Sequence, residues 1–179
     1  MRRRSRAREL AVQFLYHLDL RGPEALGDLD AFLDAAEAEA REDSKGGAPR
    51  VARRDAELRE FAVRLIEGTR RHRDDADKIL AGVTRNWDLK RMAAVDRNVL
   101  RMAIYEMLHC PDIPPKVTIN EAIELGKRFS TGNSGAFING ILDRIRIDLE
   151  SGALAADRSP AAERTVVADR AAGASESSS

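Results

Sequence analysis

The chain has 179 residues, of which 43% are hydrophobic, 34% charged and 4% aromatic. This apolar content can form a real hydrophobic core, which excludes disorder throughout, and no run approaches the roughly 18 apolar residues of a membrane-spanning helix. The single cysteine, Cys110, excludes an intramolecular disulfide and a zinc site built on several thiolates, and it favours a reducing compartment.

The formal net charge is zero, but the charges are unevenly distributed. Residues 2–8 contain five arginines and no acid, whereas residues 19–43 contain nine acids and two arginines. Polar residues interrupt the apolar segment that follows the first arginines, and no small-residue cleavage site comes after it. We therefore reject a signal peptide and expect a cytoplasmic protein.

Between residues 5 and 150, apolar residues recur at three- and four-residue spacing, which predicts an all-α fold. The first helix is predicted over about residues 5–20 and ends at Gly22-Pro23, and Pro23 suits the first position of the next helix. A polar loop is expected over residues 42–50. The predicted inward face of the first helix consists of Ala7, Leu10, Ala11, Phe14, Leu15 and Leu18.

The second half of the chain continues this pattern. Trp87 is expected to plug a helix junction, and Pro114-Pro115 to end the helix before it. Thr118 and Glu121 have the spacing of a capping box, which predicts a helix starting there and ending at Phe129. The other predicted elements are helices at about 51–72, 74–83 and 90–108, a turn at 130–135 and a last helix reaching Leu149.

We expect two regions: residues 1–150 as a helical domain, and residues 151–179 as a disordered tail. The second region contains no aromatic residue, is rich in Ala and Ser, and ends in a serine-rich sequence. Such a segment buries too little apolar surface to offset the entropy lost on ordering.

The sequence shows little that points to catalysis. The three histidines, His17, His72 and His109, lie in different predicted helical regions without a second ligand at metal-binding spacing. Asp74, Asp75 and Asp77 lie at a helix start, where capping and helix-dipole compensation explain an acidic cluster. We predict no catalytic residue, cofactor or metal.

The N-terminal arginines are the clearest functional signal. Guanidinium groups bind phosphate bidentately, and counterion release then favours nucleic-acid binding, although short basic termini are often only solvated. Arg4, Arg8 and Ala11 share a helical face, which would anchor the charge to the domain. Tyr16 is either an exposed ring that stacks on an unpaired base or a half-buried core ring.

A second candidate set lies in the predicted central helix. Arg97 and Arg101 are one helical turn apart, so both could address phosphates or base edges. The alternative is an ordinary solvated or salt-bridged stripe.

Four blocks of the sequence resemble the NusB family of bacterial antitermination factors. They are the start Arg4–Tyr16, the segment Trp87–Glu106, and the C-terminal blocks Val117–Leu125 and Phe137–Asp143. The resemblance covers residues 3–149 and implies two packed helical bundles of about seven helices. The same fold occurs as the N-terminal domain of a ribosomal RNA cytosine methyltransferase, but this sequence shows no pattern of an α/β cofactor domain, so we expect the free-standing factor.

The resemblance implies a non-catalytic factor that binds single-stranded boxA RNA of ribosomal RNA operon leaders together with the ribosomal protein NusE. Such a complex joins elongating RNA polymerase with NusA and NusG. The implied RNA-contacting residues are Arg4, Arg6, Arg8, Gln13, Tyr16, Asp96, Arg101, Phe129, Asn133 and Phe137.

Some properties are left open by the resemblance. Many family members carry an acid at the position of Asn133, so the amide here implies weaker repulsion of phosphate. The acidic second helix either faces a basic ribosomal protein or keeps the far surface free of RNA. The alternative function is a self-associating interaction adaptor, with a homodimer and incidental RNA contact.

Overall fold

The computed structural model describes residues 2–43, 48–85 and 88–154. Within these residues all regular structure is helical, which confirms the predicted all-α class. The seven α-helices are α1 (Arg2–Arg21), α2 (Leu29–Asp43), α3 (Ala48–Arg71), α4 (Arg73–Val83), α5 (Ala94–His109), α6 (Pro115–Phe129) and α7 (Ser134–Glu150).

Two short 3₁₀ helices connect these elements, at Pro23–Asp28 and Leu89–Arg91. Pro23 starts a helical segment, as predicted, because its missing N–H is one that an N-terminus leaves unpaired. Gly22 precedes it at φ 91°, a conformation that favours glycine.

The helices form two packed groups, α1–α3 and α4–α7. In the first, α1 packs most extensively on α3, and in the second, α6 packs most extensively on α7. Helix α5 contacts α1, α3, α4, α6 and α7, so it lies at the centre of the molecule. The core contains the predicted inward face of α1, with Ala7, Leu10, Ala11, Phe14 and Leu15 buried and Leu18 partly buried.

The polar residues of α5 correct one prediction. Asp96 and Arg101 were expected to contact RNA, but both are buried, as are Asn98 and Glu106. Neighbouring helices cover most of α5, so its buried polar residues must find partners inside the protein.

The predicted capping box is wrong. Helix α6 begins three residues before Thr118, at Pro115, which occupies a position where a missing N–H does no harm. The Thr118 hydroxyl instead donates to Glu106 Oε1 at 2.6 Å, and Glu121 accepts from Ser5 Oγ at 2.9 Å. The two candidate cap residues therefore tie α6 to α5 and α1.

Several predictions reach beyond the described residues. Helices α2 and α3 extend into the predicted loop at 42–50, and its centre, residues 44–47, lies outside the described part, as does Trp87. Of the predicted tail, residues 151–154 form turns and Leu154 packs against the core, while residues 155–179 lie outside the description. No helix in the described ranges has the length and apolar character needed to cross a membrane.

Candidate nucleic-acid interface

The N-terminal arginines lie on the first turns of α1. Because successive residues of a helix turn by about 100°, their side chains point in different directions. Arg3 and Arg4 are exposed, Arg6 is partly buried, and Arg8 is 3% exposed. The arginines thus belong to a helix that continues into the domain, as the shared face of Arg4, Arg8 and Ala11 predicts.

Every arginine of α1 up to residue 8 whose side chain is described pairs with a carboxylate. These acids come from α1 itself, α3, α5 and the α5–α6 loop, so the positive charge is neutralised at short range. The pairs are Arg3 with Glu57 (3.1 Å), Arg4 with Asp112 (3.2 Å), Arg6 with Glu9 (3.0 Å) and Arg8 with Glu106 (2.6 Å).

Arg8 is buried and has a structural role inside the protein. Its Nε and Nη2 donate to the two carboxylate oxygens of Glu106 at 2.9 and 2.6 Å, and Glu106 is 1% exposed. A bidentate pair inside the protein leaves no guanidinium surface for phosphate. The predicted RNA contact of Arg8 is therefore corrected: Arg8 ties α1 to α5.

Arg3 and Arg4 border a cavity of about 300 Å³ between α1 and α3. The Arg4 guanidinium lies 4.9 Å from the centroid of the Phe61 ring, within cation–π range. Asp112, the partner of Arg4, also accepts from Arg64 Nη2 at 3.1 Å. Partial burial acts to raise the pKa of Asp112, but the hydrogen bond from Arg64 and the charges of both arginines outweigh it, so that the pKa lies below its ordinary value.

Glu9 connects the start of α1 to the end of α6. One of its oxygens accepts from Arg6 Nη1 at 3.0 Å, and the other accepts from Arg128 Nη1. The Arg128 guanidinium lies over the Phe129 ring, 5.3 Å from its centroid. The structure thus brings the predicted residues Arg6 and Phe129 to one place and adds two residues that the sequence analysis missed. These two residues are Arg128 and Glu9. The sequence could have indicated them, because Arg128 precedes the candidate ring Phe129 and Glu9 lies about one helical turn after Arg6.

The turn before α7 lies against Asp96. Ser134 Oγ donates to Asp96 Oδ2 at 3.0 Å, and Ser134 Oγ is also 3.2 Å from Thr131 Oγ1. Asp96 is 6% exposed, and its Oδ1 has no hydrogen-bond partner among the described residues. Asn133 is exposed and precedes α7 without a capping hydrogen bond from its side chain. Asp96 therefore supports the turn that presents Asn133, and its burial corrects the expected direct RNA contact.

Arg101 is also buried, at 5% exposure. Its Nε and Nη2 donate to the two oxygens of Asp77 at 2.6 and 2.7 Å, and its Nη1 lies 3.9 Å from Asp19. Arg97 Nη2 approaches the same Asp19 carboxylate at 3.4 Å. The salt-bridged alternative therefore describes both arginines, and the predicted RNA contact of Arg101 is corrected to a link between α4 and α5. Asp77 is accordingly an ion-pair partner and not part of a helix cap.

The remaining candidates differ in accessibility. Tyr16 is 38% exposed, whereas Gln13 is partly buried. Phe129 and Phe137 are partly buried and pack against the core, so each presents only part of its ring. Tyr16 thus offers the most accessible of the three candidate rings for base stacking.

The structure gives no support to a metal centre in the described ranges. His72 and His109, far apart in sequence, stack with ring centroids 3.9 Å apart, which sequence spacing did not indicate. Among all the residues that the structure describes, no group of three or more His, Cys, Asp or Glu side chains could hold a metal ion. Asp74 and Asp75 occupy the first turn of α4, where they complement the helix dipole.

The geometry defines an all-helical protein with arginines on the first turns of α1, an exposed ring further along that helix, and partly exposed rings beside the α6–α7 turn. A family model described as the NusB family matches residues 5–146. The chain belongs to the NusB family.

Relatives named transcription antitermination protein NusB match most of the chain. The protein of Myxococcus xanthus is 42% identical over 146 residues, which cover 82% of this chain and 96% of the relative. The protein of Desulforapulum autotrophicum is 46% identical, with coverage of 80% and 91%.

Solved structures of the family share the fold. T. maritima NusB is 31% identical, with a TM-score of 0.56 and coverage of 90% of this chain and 96% of that one. A structure of the antitermination factors NusB and NusE in complex with dsRNA matches at 25% identity with a TM-score of 0.61, covering 81% and 96%.

Proposed function

We propose that this protein is a non-catalytic transcription antitermination factor of the bacterial cytoplasm. It binds boxA RNA of ribosomal RNA operon leaders together with NusE and joins elongating RNA polymerase with NusA and NusG. Family membership supports the general function, and the solved NusB–NusE–dsRNA complex supports RNA and NusE as partners.

The observation that carries the proposal is the joining of α1 and α6 through Glu9. This contact places Arg6, Arg128 and the Phe129 ring at one surface, where guanidinium groups can bind phosphates and stack on bases. The buried pair of Arg8 and Glu106 holds the first turns of α1 in place. The surface is thus preorganised, which lowers the entropy lost on binding.

We assign the direct contacts to the accessible residues. Arg4, Arg6 and Arg128 would contact phosphates, and the remaining contacts would come from rings and amides. The residues that would supply these remaining contacts are Gln13, Tyr16, Phe129, Asn133 and Phe137. The buried residues Arg8, Asp96 and Arg101 would support the surface from inside the protein.

A binding titration tests the proposal. Labelled leader RNA containing boxA is titrated with the protein, alone and with NusE, at several salt concentrations and as a single strand and a duplex. Single-strand binding should weaken with salt, with a log–log slope of about −0.7 per neutralised phosphate. Replacing Arg4 and Arg6 together by Ala should flatten that slope by up to about 1.4, because two phosphate contacts are lost.

Arg144→Ala is the matched control, because Arg144 is an exposed arginine of α7 paired with Asp148 at 3.2 Å. This variant should bind as wild type does. The proposal fails if wild type binds no leader RNA with or without NusE, or if Arg4 and Arg6 can be replaced without changing the slope. A stable dimer by sedimentation that is indifferent to RNA would favour the adaptor alternative instead.

A further inference from the structure

Glu9 holds two arginines of the proposed interface at once. Arg6 reaches one oxygen from the preceding turn of α1, and Arg128 reaches the other from the end of α6. The two guanidinium groups are still accessible, with side-chain exposures of 38% for Arg6 and 59% for Arg128. Both arginines can therefore meet an RNA strand, but both already bind an anion.

Glu9 is also less free to move away than the other acids at this surface. Its side chain is 15% exposed, compared with 54% for Glu57 and 43% for Asp112. An exposed carboxylate can rotate into water when a phosphate replaces it. Glu9 is held between two helices, so it stays close to any anion that binds Arg6 or Arg128.

A carboxylate and a phosphate use the same guanidinium hydrogen bonds. A phosphate arriving at Arg6 or Arg128 must either displace Glu9 from them or share them with it, at a distance where like charges repel. Displacement and sharing both weaken the contacts of the two arginines with the RNA phosphate backbone. Such contacts carry no sequence information and supply nearly all of non-specific RNA binding.

We propose that Glu9 is an internal competitor for RNA phosphate, which lowers the affinity of the Arg6–Arg128 pair for every RNA strand. This inference rests on the proposed RNA-binding function. Because weaker phosphate contacts leave more of the protein unbound, Glu9 lowers the fraction of protein held by RNA that lacks its target. It does so without changing the preference between sequences.

The test is Glu9→Gln, which keeps the size of the side chain and one of its two acceptor oxygens and removes its charge. Titrations use single-stranded boxA RNA and a scrambled strand of equal length. The two partly exposed ion pairs of Glu9 no longer compete with phosphate. We therefore expect binding of both strands to become about three- to tenfold tighter, with the ratio between the two affinities unchanged. The gain should shrink as salt is raised.

Glu37→Gln is the matched control. Glu37 is 18% exposed and is likewise shared by two arginines, Arg41 at 3.5 Å and Arg59 at 3.1 Å, but it lies on α2, outside the proposed interface. The substitution Glu37→Gln also removes one negative charge from the protein. It should leave RNA affinity within about twofold of wild type, because a distant charge is screened.

A second comparison separates competition from a general structural effect. If Glu9 acts on the two arginines, Glu9→Gln gives no gain when Arg6 and Arg128 are both already replaced by Ala. Melting temperatures of all variants are measured alongside, and that of Glu9→Gln should lie below wild type by no more than about 6 °C, the shift that corresponds to a tenfold gain in binding.

Several outcomes overturn the inference: Glu9→Gln binds no tighter than wild type, Glu37→Gln gains as much, or the gain persists without the two arginines. These results leave the proposed function intact as long as wild type binds boxA RNA. If neither wild type nor Glu9→Gln binds RNA, with or without NusE, both the function and the inference fail.

Discussion

The buried pair of Arg8 and Glu106 leads to the largest stability effect that we predict. Arg8→Ala removes one partner and leaves the Glu106 carboxylate, which is 1% exposed, with only the Thr118 hydroxyl and no cation in direct contact among the described residues. Breaking a buried ion pair in this way costs about 3–5 kcal/mol. Arg8 also covers the Phe61 ring at 5.3 Å, so its packing contact is lost as well.

The expected signal is a large shift of the unfolding transition. At about 2–4 °C per kcal/mol for a protein of this size, the melting temperature of Arg8→Ala should fall by about 6–20 °C. Circular dichroism at 222 nm follows it, and urea unfolding gives the free energy independently.

Arg6→Ala is the control, because Arg6 lies two residues before Arg8 on the same helix and pairs with Glu9 at a partly exposed site. Its free energy of unfolding should change by less than about 1 kcal/mol. Arg8→Met combined with Glu106→Leu should recover much of the stability, since an apolar pair leaves no unpaired charge. A melting temperature of Arg8→Ala within about 2 °C of wild type would refute the assignment of Arg8 to the interior.

Three further predictions follow from other sites. A Cβ at Gly68 would lie 2.0 Å from Tyr105 Cζ, so Gly68→Ala should destabilise the protein by about 1–3 kcal/mol in urea unfolding, whereas Gly140→Ala, with open space around it, should be neutral or stabilising. Because the pKa of Asp112 is lowered, its ion pairs stabilise the protein fully above the ordinary pKa of 3.8, and this contribution is lost as the pH falls through the pKa of the folded state. The free energy of unfolding should therefore decline less steeply on acidification in Asp112→Asn than in wild type. Equal slopes of stability against pH for the two proteins would contradict this. Asn133→Asp should weaken RNA binding, because it adds a negative charge at an exposed turn. An unchanged affinity in the RNA titration would contradict a role of Asn133 at the RNA surface.

The sequence alone determined the all-helical class, the approximate positions of the helices and the inward face of α1. In α1, for example, the spacing of Ala7, Leu10, Ala11 and Phe14 predicts the buried side correctly, because a helix repeats every 3.6 residues regardless of its neighbours. The resemblance to the NusB family was also readable from local blocks of residues. These properties depend on residues within one or two turns of each other.

Only the tertiary structure decided which charged residues are available to a ligand. The spacing of Arg8 and Arg101 in the chain is compatible with an exposed surface, yet both lie inside the protein against carboxylates. Their partners are 98 and 24 residues away, on other helices, and local periodicity does not encode which helix packs against which. The same applies to Arg128, which meets Glu9 across 119 residues. Burial of a charge is set by all the elements that surround it, so it emerges only when the helices are assembled.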